Sequence, residues 1–530
     1  MNEHLERLIR SLSDPSVYPH HPDSVQVIQT HISVVFLAGE LVYKIKKPLF
    51  LGFLDFTTLE KRNFFCHQEV DLNSRFSNNI YLGVVSIFES SSGIVSLGGE
   101  GRVIEYAVLM RLIPENKILK NALALDLVSV STIEKVADSV RYYHSKASRG
   151  PQISIFGAPE VITQNIKENF SQTESFIGKT ISNETFKFIK YSSLSFVEQK
   201  RALLEQRVKE GDIRDCHGDL HLDHVVLLDQ IMLVDCIEFN DRFRYSDCLA
   251  DIAFLLMDLD FSGYPAFSDI VRKQYLIERP DEDCQELLRF YKVYRAYVRG
   301  KVQSFTLNEP EIDAGYKLKA LMTASDYFRL ARSYLEPSVE PTLVIMCGLM
   351  GTGKSFLASK LALRLGIQSL RSDVIRKLSL GFTNLEHSLD KYREGIYTRE
   401  SSDKVYSMML DEAGRRLSRG EHVIIDASFQ KLSHRIAARR LARKHKAKIL
   451  LIHCITPDDI IHARLIERIQ RLEEPSDGRW ELLNLQKSDF DPVGPDEKDG
   501  YLEYNPNIDT NKFLTKVATQ ISFGIGNNSI

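Results

Sequence analysis

The sequence predicts two domains of different class: an α+β unit over residues 1–335 and an α/β unit with a parallel, doubly wound sheet over residues 336–530. Three observations carry this. At 530 residues the chain exceeds what one hydrophobic core usually supports. Residues 343–366 read in succession as an apolar strand (LVIMC), a Gly-rich loop (GLMGTGKS) and a helix in which Leu357, Leu361 and Leu365 recur every fourth position. Directly before that strand, LEPSVEP (335–341) sets two prolines among polar residues, the composition of a linker.

Bulk composition narrows the function classes. With 43% apolar and 26% charged residues, this is an ordinary globular chain, and 68 basic against 71 acidic residues leave a net charge of -3 that advertises no polyanionic partner. Seven scattered cysteines form no C-x-x-C pair or zinc spacing, which fits a reducing compartment. MNEHLERLIRSLSDPS has no apolar core of signal-peptide length, and nowhere do eighteen apolar residues run together. A cytoplasmic protein that does not span a membrane is expected. Oligomeric state is not readable.

The first unit begins with a helix, followed by three alternating segments, SVQVIQT, SVVFLAG and ELVYKIKK, with reversals near His31 and at Ala38-Gly39. Three antiparallel strands are predicted. On the third, Val42, Lys44 and Lys46 share a face, so a lysine points where a ligand could lie. A helix capped by Thr57 or Thr58 comes next, and Glu69 on it can pair with Lys44. Residues 83–114 read as a Gly-rich hairpin and an apolar strand. Helical periodicity then dominates from Leu123 to about Ile213 and from Tyr264 to Tyr334.

Within that helical region, CHGDLHLDHVVLLDQIMLVDCIEF interrupts the pattern. His217, Asp219 and His224 fall in a loop, apolar strands flank Asp229-Gln230, and Asp235 closes the second strand. Carboxylates on either side of a hairpin can converge on one cleft: one to orient or deprotonate an attacking hydroxyl, the other to hold a metal against phosphates. The residue types alone fit a metal-hydrolase site as well. Farther on, YKVYRAYVRGKV repeats Arg295 and Arg299 on one face with Lys301 nearby, which reads first as a solvated face and second as a receiver of an anionic acceptor.

HGDLHLDH resembles the catalytic loop of the aminoglycoside phosphotransferase and choline kinase branch of the protein-kinase-like fold, and Asp235 in LVDCIEF resembles its metal-binding Asp. More narrowly, THISVVFLAGELVYKIKK and DCIEFNDRFRYSDCLADIAFL are similar to bacterial proteins in which an aminoglycoside phosphotransferase-like unit is fused to an ATP-binding kinase-like unit. The resemblance implies a bilobal first domain with Asp219 as catalytic base, Asp235 as principal Mg²⁺ ligand, Lys44 as the clamp on the nucleotide phosphates, Glu69 as its helix partner and Asp251 as a brace for the loop. Two departures stand out: His224 occupies the place of a second metal-binding Asn, and no G-x-G-x-x-G precedes Lys44. Histidine suits Mg²⁺ less well than a hard oxygen ligand does.

In the second unit Gly348, Gly353, Lys354 and Ser355 stand at G-x-x-x-x-G-K-[ST] spacing. Backbone N–H groups of Gly348, Leu349, Met350, Gly351, Thr352 and Gly353 can curl around a polyphosphate, Lys354 can reach the outer phosphates, and the Ser355 hydroxyl can ligate Mg²⁺. Past the loop, LRSDVIRKL places Asp373 and Arg376 after a second strand, HVIIDASF ends an apolar run at Asp426 as a second carboxylate near the metal, and AKILLIHC is another buried strand. Asp373 with Arg376 resembles small P-loop kinases of the polynucleotide-kinase and gluconate-kinase type, which implies that Asp373 receives the acceptor hydroxyl. Arg464, Arg468 and Arg471 line one helix face and resemble the lid arginines of those kinases. Residues 434–448 carry seven Lys or Arg and no acid, a run that admits nucleic-acid contact but more commonly marks a solvated helix face.

The expectation is therefore a fused pair of ATP- and Mg²⁺-dependent phosphotransferase modules acting on a hydroxyl of a small molecule. Alternatives are a nucleotide-binding regulator whose first module does not turn over, and a nucleic-acid 5′-end kinase.

Overall fold

The computed structural model describes residues 3–77, 79–309, 312–336, 340–367, 369–379, 398–418, 420–470 and 482–523. It divides into two compact units: Met1–Leu259 with Ser268–Leu335, and Asp260–Phe267 with Glu336–Ile530. The middle of the expected linker, residues 337–339, lies outside the described residues.

In the first unit the strands are β1 (Val25–Gln29), β2 (Ser33–Ala38), β3 (Leu41–Lys46), β4 (Tyr81–Glu89), β5 (Val95–Leu97) and β6 (Arg102–Arg111). They form one antiparallel sheet in the order β1-β2-β3-β6-β4-β5. Its two faces do different things, because side chains alternate along a strand. Phe36, Tyr43, Ile45, Ile87 and Ala107 pack under Leu5, Leu8 and Leu12 of the leading helix Glu3–Leu12. The other face carries Lys44 and Lys46 toward the helix Leu59–Asn73, whose cap is Thr58 rather than Thr57, accepting from the Lys61 N–H. Burying each large apolar side chain contributes roughly 1.5–3 kcal/mol, which makes the leading helix an integral cover of the sheet.

Helices dominate the rest of this unit, including Val130–Lys146, Asn183–Gln199, Glu282–Phe305 and the helix Cys248–Phe261 as far as Leu259. Among them lie two small antiparallel pairs. β7 (Ile213–Asp215) pairs with β10 (Tyr245–Asp247), and β8 (Val225–Leu227) forms a hairpin with β9 (Ile231–Leu233). A sheet lobe followed by a helical lobe with a hairpin between them is the bilobal, protein-kinase-like arrangement.

The solvated-face reading of Arg295 is corrected. Arg295 is buried, donates to the carbonyls of Gly218 and Ala250, and lies over the Phe254 ring, so its charge braces the loop from behind.

The second unit holds a five-stranded parallel sheet of β11 (Thr342–Cys347), β12 (Ser369–Arg371), β13 (Val423–Asp426), β14 (Lys448–Cys454) and β15 (Tyr501–Tyr504), in the order β12-β13-β11-β14-β15. Alternate residues of β11 serve opposite faces. Leu343, Ile345 and Cys347 join Val405, Met409 and Ala438, whereas Val344 and Met346 join Leu357, Leu361, Leu514 and Val517. Helices therefore cover both faces, as a doubly wound sheet requires. The basic run also departs from a simple solvated face. Arg435 is fully buried, ion-paired with Glu497 and bonded to the carbonyls of Phe429 and Asp491, while Arg439 donates to the carbonyls of Glu497 and Asp499.

Among the described residues no helix is long and apolar enough to cross a membrane.

Candidate functional site

In the first unit, four segments remote in sequence converge. Lys44 on β3 donates to Glu69 Oε1 at 2.8 Å and to Asp235 Oδ1 at 2.6 Å. The residues of the second pair are 191 positions apart. Burial alone would lower the Lys44 pKa, but Asp235 and Glu69 outweigh it and hold the ammonium well above its ordinary value. Asp235 itself adopts φ 59°, a left-handed conformation that Asp tolerates better than most side chains, and its N–H donates to the Tyr81 hydroxyl at 2.9 Å. That turn takes the carboxylate out of β9 and into the cleft, where nearly half of the side chain is exposed.

Asp219 approaches from the loop. His224 Nδ1 lies 3.6 Å from Asp219 Oδ2 and its Nε2 3.6 Å from Asp235 Oδ2, so His224 stands between the two carboxylates, while His221 Nε2 lies 3.5 Å from Asp219 Oδ2. Burial would raise the Asp219 pKa, yet the hydrogen bond from His221 and the nearby His221, His224 and Arg299 hold the carboxyl well below the usual range. Such a group is ionised at neutral pH. It is well suited to orient a hydroxyl and is a weak base.

The loop is held by Asp251, which accepts from the His217 N–H at 3.1 Å and the Gly218 N–H at 2.9 Å, with His144 Nε2 3.1 Å away. Burial opposes its ionisation, but the bond from His144 and the charges of His144, His217 and Arg295 lower its pKa to about 2. A side chain at Gly218 would approach the Phe243 carbonyl to 2.8 Å, and φ there is 85°. Only glycine fits comfortably.

Sequence reasoning gave Lys46 no role of its own and missed Glu238. Lys46, two positions beyond Lys44 on the same face, is almost fully buried, donates to Glu69 Oε2 at 2.7 Å and contacts Glu238. Glu69 thus serves two lysines. The alternation that pointed to Lys44 already placed Lys46 beside it, but nothing local to residues 235–238 announced Glu238 as its partner.

The second unit centres its site on one loop. Gly348 has φ 135°, and a Cβ there would meet the Cys454 carbonyl at 2.4 Å; Gly351 and Gly353 also have positive φ. Lys354 Nζ donates to the Leu349 carbonyl at 2.6 Å across the loop, and Thr352 Oγ1 donates to the same carbonyl at 2.7 Å. Burial lowers the Lys354 pKa against the opposing influence of Cys454, Asp426 and Asp373.

Asp426 ends β13 buried. Burial raises its pKa, while a hydrogen bond with Ser355 and the charges of Lys354 and Arg371 act the other way. Asp373 lies in the first turn of the helix Ser372–Ser379, within electrostatic reach of both Lys354 and Asp426. Arg376 is buried and donates to Ser402 Oγ at 3.3 Å, toward the helix Arg399–Leu417. Arg464 Nη1 donates to the Gly351 carbonyl at 3.3 Å, which places its guanidinium over the loop. The side chain of Arg468 and all of Arg471 lie outside the described residues. Gln486, which the sequence did not single out, accepts from the Met350 N–H at 2.7 Å.

Residues 343–493 match a protein-family model described as an AAA domain. Among solved structures the chain is similar to a choline/ethanolamine kinase family protein from Mesorhizobium loti (10% identity, covering 62% of this chain and 98% of that one, TM-score 0.36) and to a gluconokinase from Sinorhizobium meliloti (18% identity, 35% and 97%, TM-score 0.24). Two uncharacterized proteins, Rv2004c of Mycobacterium tuberculosis and Mb2027c of Mycobacterium bovis, are each 30% identical over 447 residues, 84% of this chain and 86% of theirs. With that identity over that span, a kinase-like unit followed by a P-loop unit, the chain belongs to the family of these uncharacterized mycobacterial proteins.

Proposed function

We propose that the protein is an ATP-dependent phosphotransferase with two nucleotide sites, transferring the terminal phosphoryl group to a hydroxyl of a small-molecule acceptor. One observation carries the reading: the chain builds the same constellation twice on unrelated folds. In each unit a partly buried lysine lies among carboxylates, Lys44 with Glu69 and Asp235, and Lys354 near Asp426 and Asp373. Phosphoryl transfer asks little covalent chemistry of a protein. It asks for cations along the phosphates, a carboxylate for the metal and a carboxylate at the attacking hydroxyl.

In the first unit, Lys44 held by Glu69 would sit against the phosphates, Asp235 would take the metal, and Asp219 would orient the hydroxyl. In the second, the loop N–H groups and Lys354 would cradle the phosphates, Arg464 would lie over the transferred group, and Asp373 would receive the acceptor. Ser355 and Asp426 offer hard oxygens of the kind Mg²⁺ takes. Mg²⁺ there would neutralise charge on the phosphates.

His224 favours a second reading, in which the first unit binds nucleotide without turnover and regulates the second. Nucleic-acid end phosphorylation loses two of the seven Lys or Arg of residues 434–448 as contacts, since Arg435 and Arg439 are engaged within their own unit.

A screen of hydroxyl acceptors with γ-labelled ATP on the full chain tests the proposal, run alongside Asp219→Asn and Asp373→Asn. Label on an acceptor that falls in one variant or the other supports it. Label released only as inorganic phosphate, unchanged in both variants, contradicts it.

A further inference from the structure

We propose that the metal site of the first unit takes a borderline divalent transition-metal ion, of the Mn²⁺ to Zn²⁺ series, in preference to Mg²⁺, with His224 Nε2 and the Asp235 carboxylate as its protein ligands. The inference rests on the assignment of this cleft to nucleotide binding. It adds which ion the cleft selects.

The tautomer of His224 carries the argument. Its Nδ1 lies 2.8 Å from the backbone carbonyl of Asp219. A carbonyl can only accept, so Nδ1 bears the hydrogen and the neutral ring presents its lone pair at Nε2. An imidazole whose other nitrogen is tied to a carbonyl is the usual form of a metal-ligating histidine, with ring orientation and tautomer both fixed. Nε2 faces Asp235 Oδ2 at 3.6 Å, too far for a hydrogen bond and close enough for both atoms to reach one ion at about 2.1 Å. Asp235 is prepared in the same way: Lys44 occupies Oδ1 at 2.6 Å and leaves Oδ2 toward the histidine.

His221 offers a contrast within the same loop. Its Nδ1 accepts from the Asp223 N–H at 3.3 Å, so the hydrogen of the neutral ring is on Nε2, which points to Asp219 Oδ2 at 3.5 Å. That ring donates to the carboxylate and has no lone pair for an ion. Of the two histidines facing the Asp219 carboxylate, His224 alone presents a nitrogen ligand.

One nitrogen in the set decides the selectivity. Mg²⁺ demands near-octahedral oxygen and sheds water reluctantly, whereas imidazole nitrogen suits the borderline transition ions. Ser355 and Asp426 of the second unit contain no such nitrogen, so the two sites should part company in metal preference.

The test is a titration of the tag-free full chain with Co²⁺ and, separately, Mg²⁺, followed by calorimetry and, for Co²⁺, by visible absorption, in wild type, His224→Asn and Asp235→Asn. Wild type should bind Co²⁺ at this site at least about tenfold more tightly than Mg²⁺. His224→Asn, which substitutes an oxygen donor, should erase that preference while keeping Mg²⁺ affinity. Asp235→Asn should remove the same Co²⁺ site with His224 intact, which separates lost ligation from lost folding. Equal Co²⁺ and Mg²⁺ affinities in wild type, or a Co²⁺ spectrum and affinity unchanged by His224→Asn, would overturn the proposal. Because the readout is binding, an acceptor screen that finds no transfer leaves this result interpretable on its own.

Discussion

The two sites differ in how they are assembled. The second is a loop of eight consecutive residues, 348–355, whose backbone N–H groups and single lysine arrive together on the end of one buried strand. The first is assembled by ion pairs: Lys44, Glu69, Asp219 and Asp235 come from a strand, a helix, a loop and a hairpin end, and the sheet lobe must dock on the helical lobe before they meet. A site made of contiguous backbone is as stable as its loop. A site made of distant charges is as stable as the fold that holds those charges together, and its buried pairs become liabilities when one member is removed.

The largest effects should be on turnover and should stay within one site. Asp219→Asn is expected to lower first-site phosphoryl transfer on the order of 10²- to 10⁴-fold and leave the second site's rate nearly intact. Lys354→Ala should do the reverse, lowering second-site turnover on the order of 10²- to 10³-fold. Steady-state rates with an acceptor specific to each site check both, and a variant that lowers both rates alike would break the comparison.

Next in size are stability effects. Glu69→Ala strips the buried Lys46 and the partly buried Lys44 of their shared carboxylate and should cost the first unit about 3–5 kcal/mol. Arg435→Ala orphans buried Glu497 and should cost the second unit a similar amount. Scanning calorimetry of the full chain should show each substitution moving a different transition.

The contrast also explains what could be read from the sequence. Strand, Gly-rich loop and helix in direct succession made the Gly-rich loop of the second unit legible, because every part of that loop is local. Lys44 and Glu69 were legible through strand alternation and a helix cap, and Asp219, Asp235 and Asp251 through their resemblance to a known loop. Glu238 and the brace by Arg295 were not legible. Each matters only through a partner far along the chain, Lys46 at 192 positions and Gly218 at 77, and a charged residue on a helix reads as solvated until the packing is known. Arg435 misled for the same reason: a run of seven basic residues looks like a surface, yet the position facing Glu497 is core.

A smaller effect sharpens the comparison through pH. Asp251 has its pKa lowered from 3.8 to about 2 in the folded chain. A depressed carboxylate stabilises the fold above the unfolded-state pKa, and that contribution disappears as pH falls through the folded value. Asp251→Asn should therefore cost the first unit about 2 kcal/mol at pH 7, and the difference from wild type should shrink as pH falls from 4 toward 2. Urea unfolding of the first transition at several pH values measures it. A difference that grows on acidification would contradict the bracing role.

The central claim is that one chain holds two independent nucleotide sites, and counting them tests it most directly. Equilibrium binding of a fluorescent ATP analogue should give a stoichiometry of two for the wild-type chain, one for Lys354→Ala with the first site remaining, and one for Asp235→Ala with the second remaining. A wild-type stoichiometry of one that vanishes in Lys354→Ala would contradict the account and reduce the first unit to a kinase-like fold that does not bind the nucleotide.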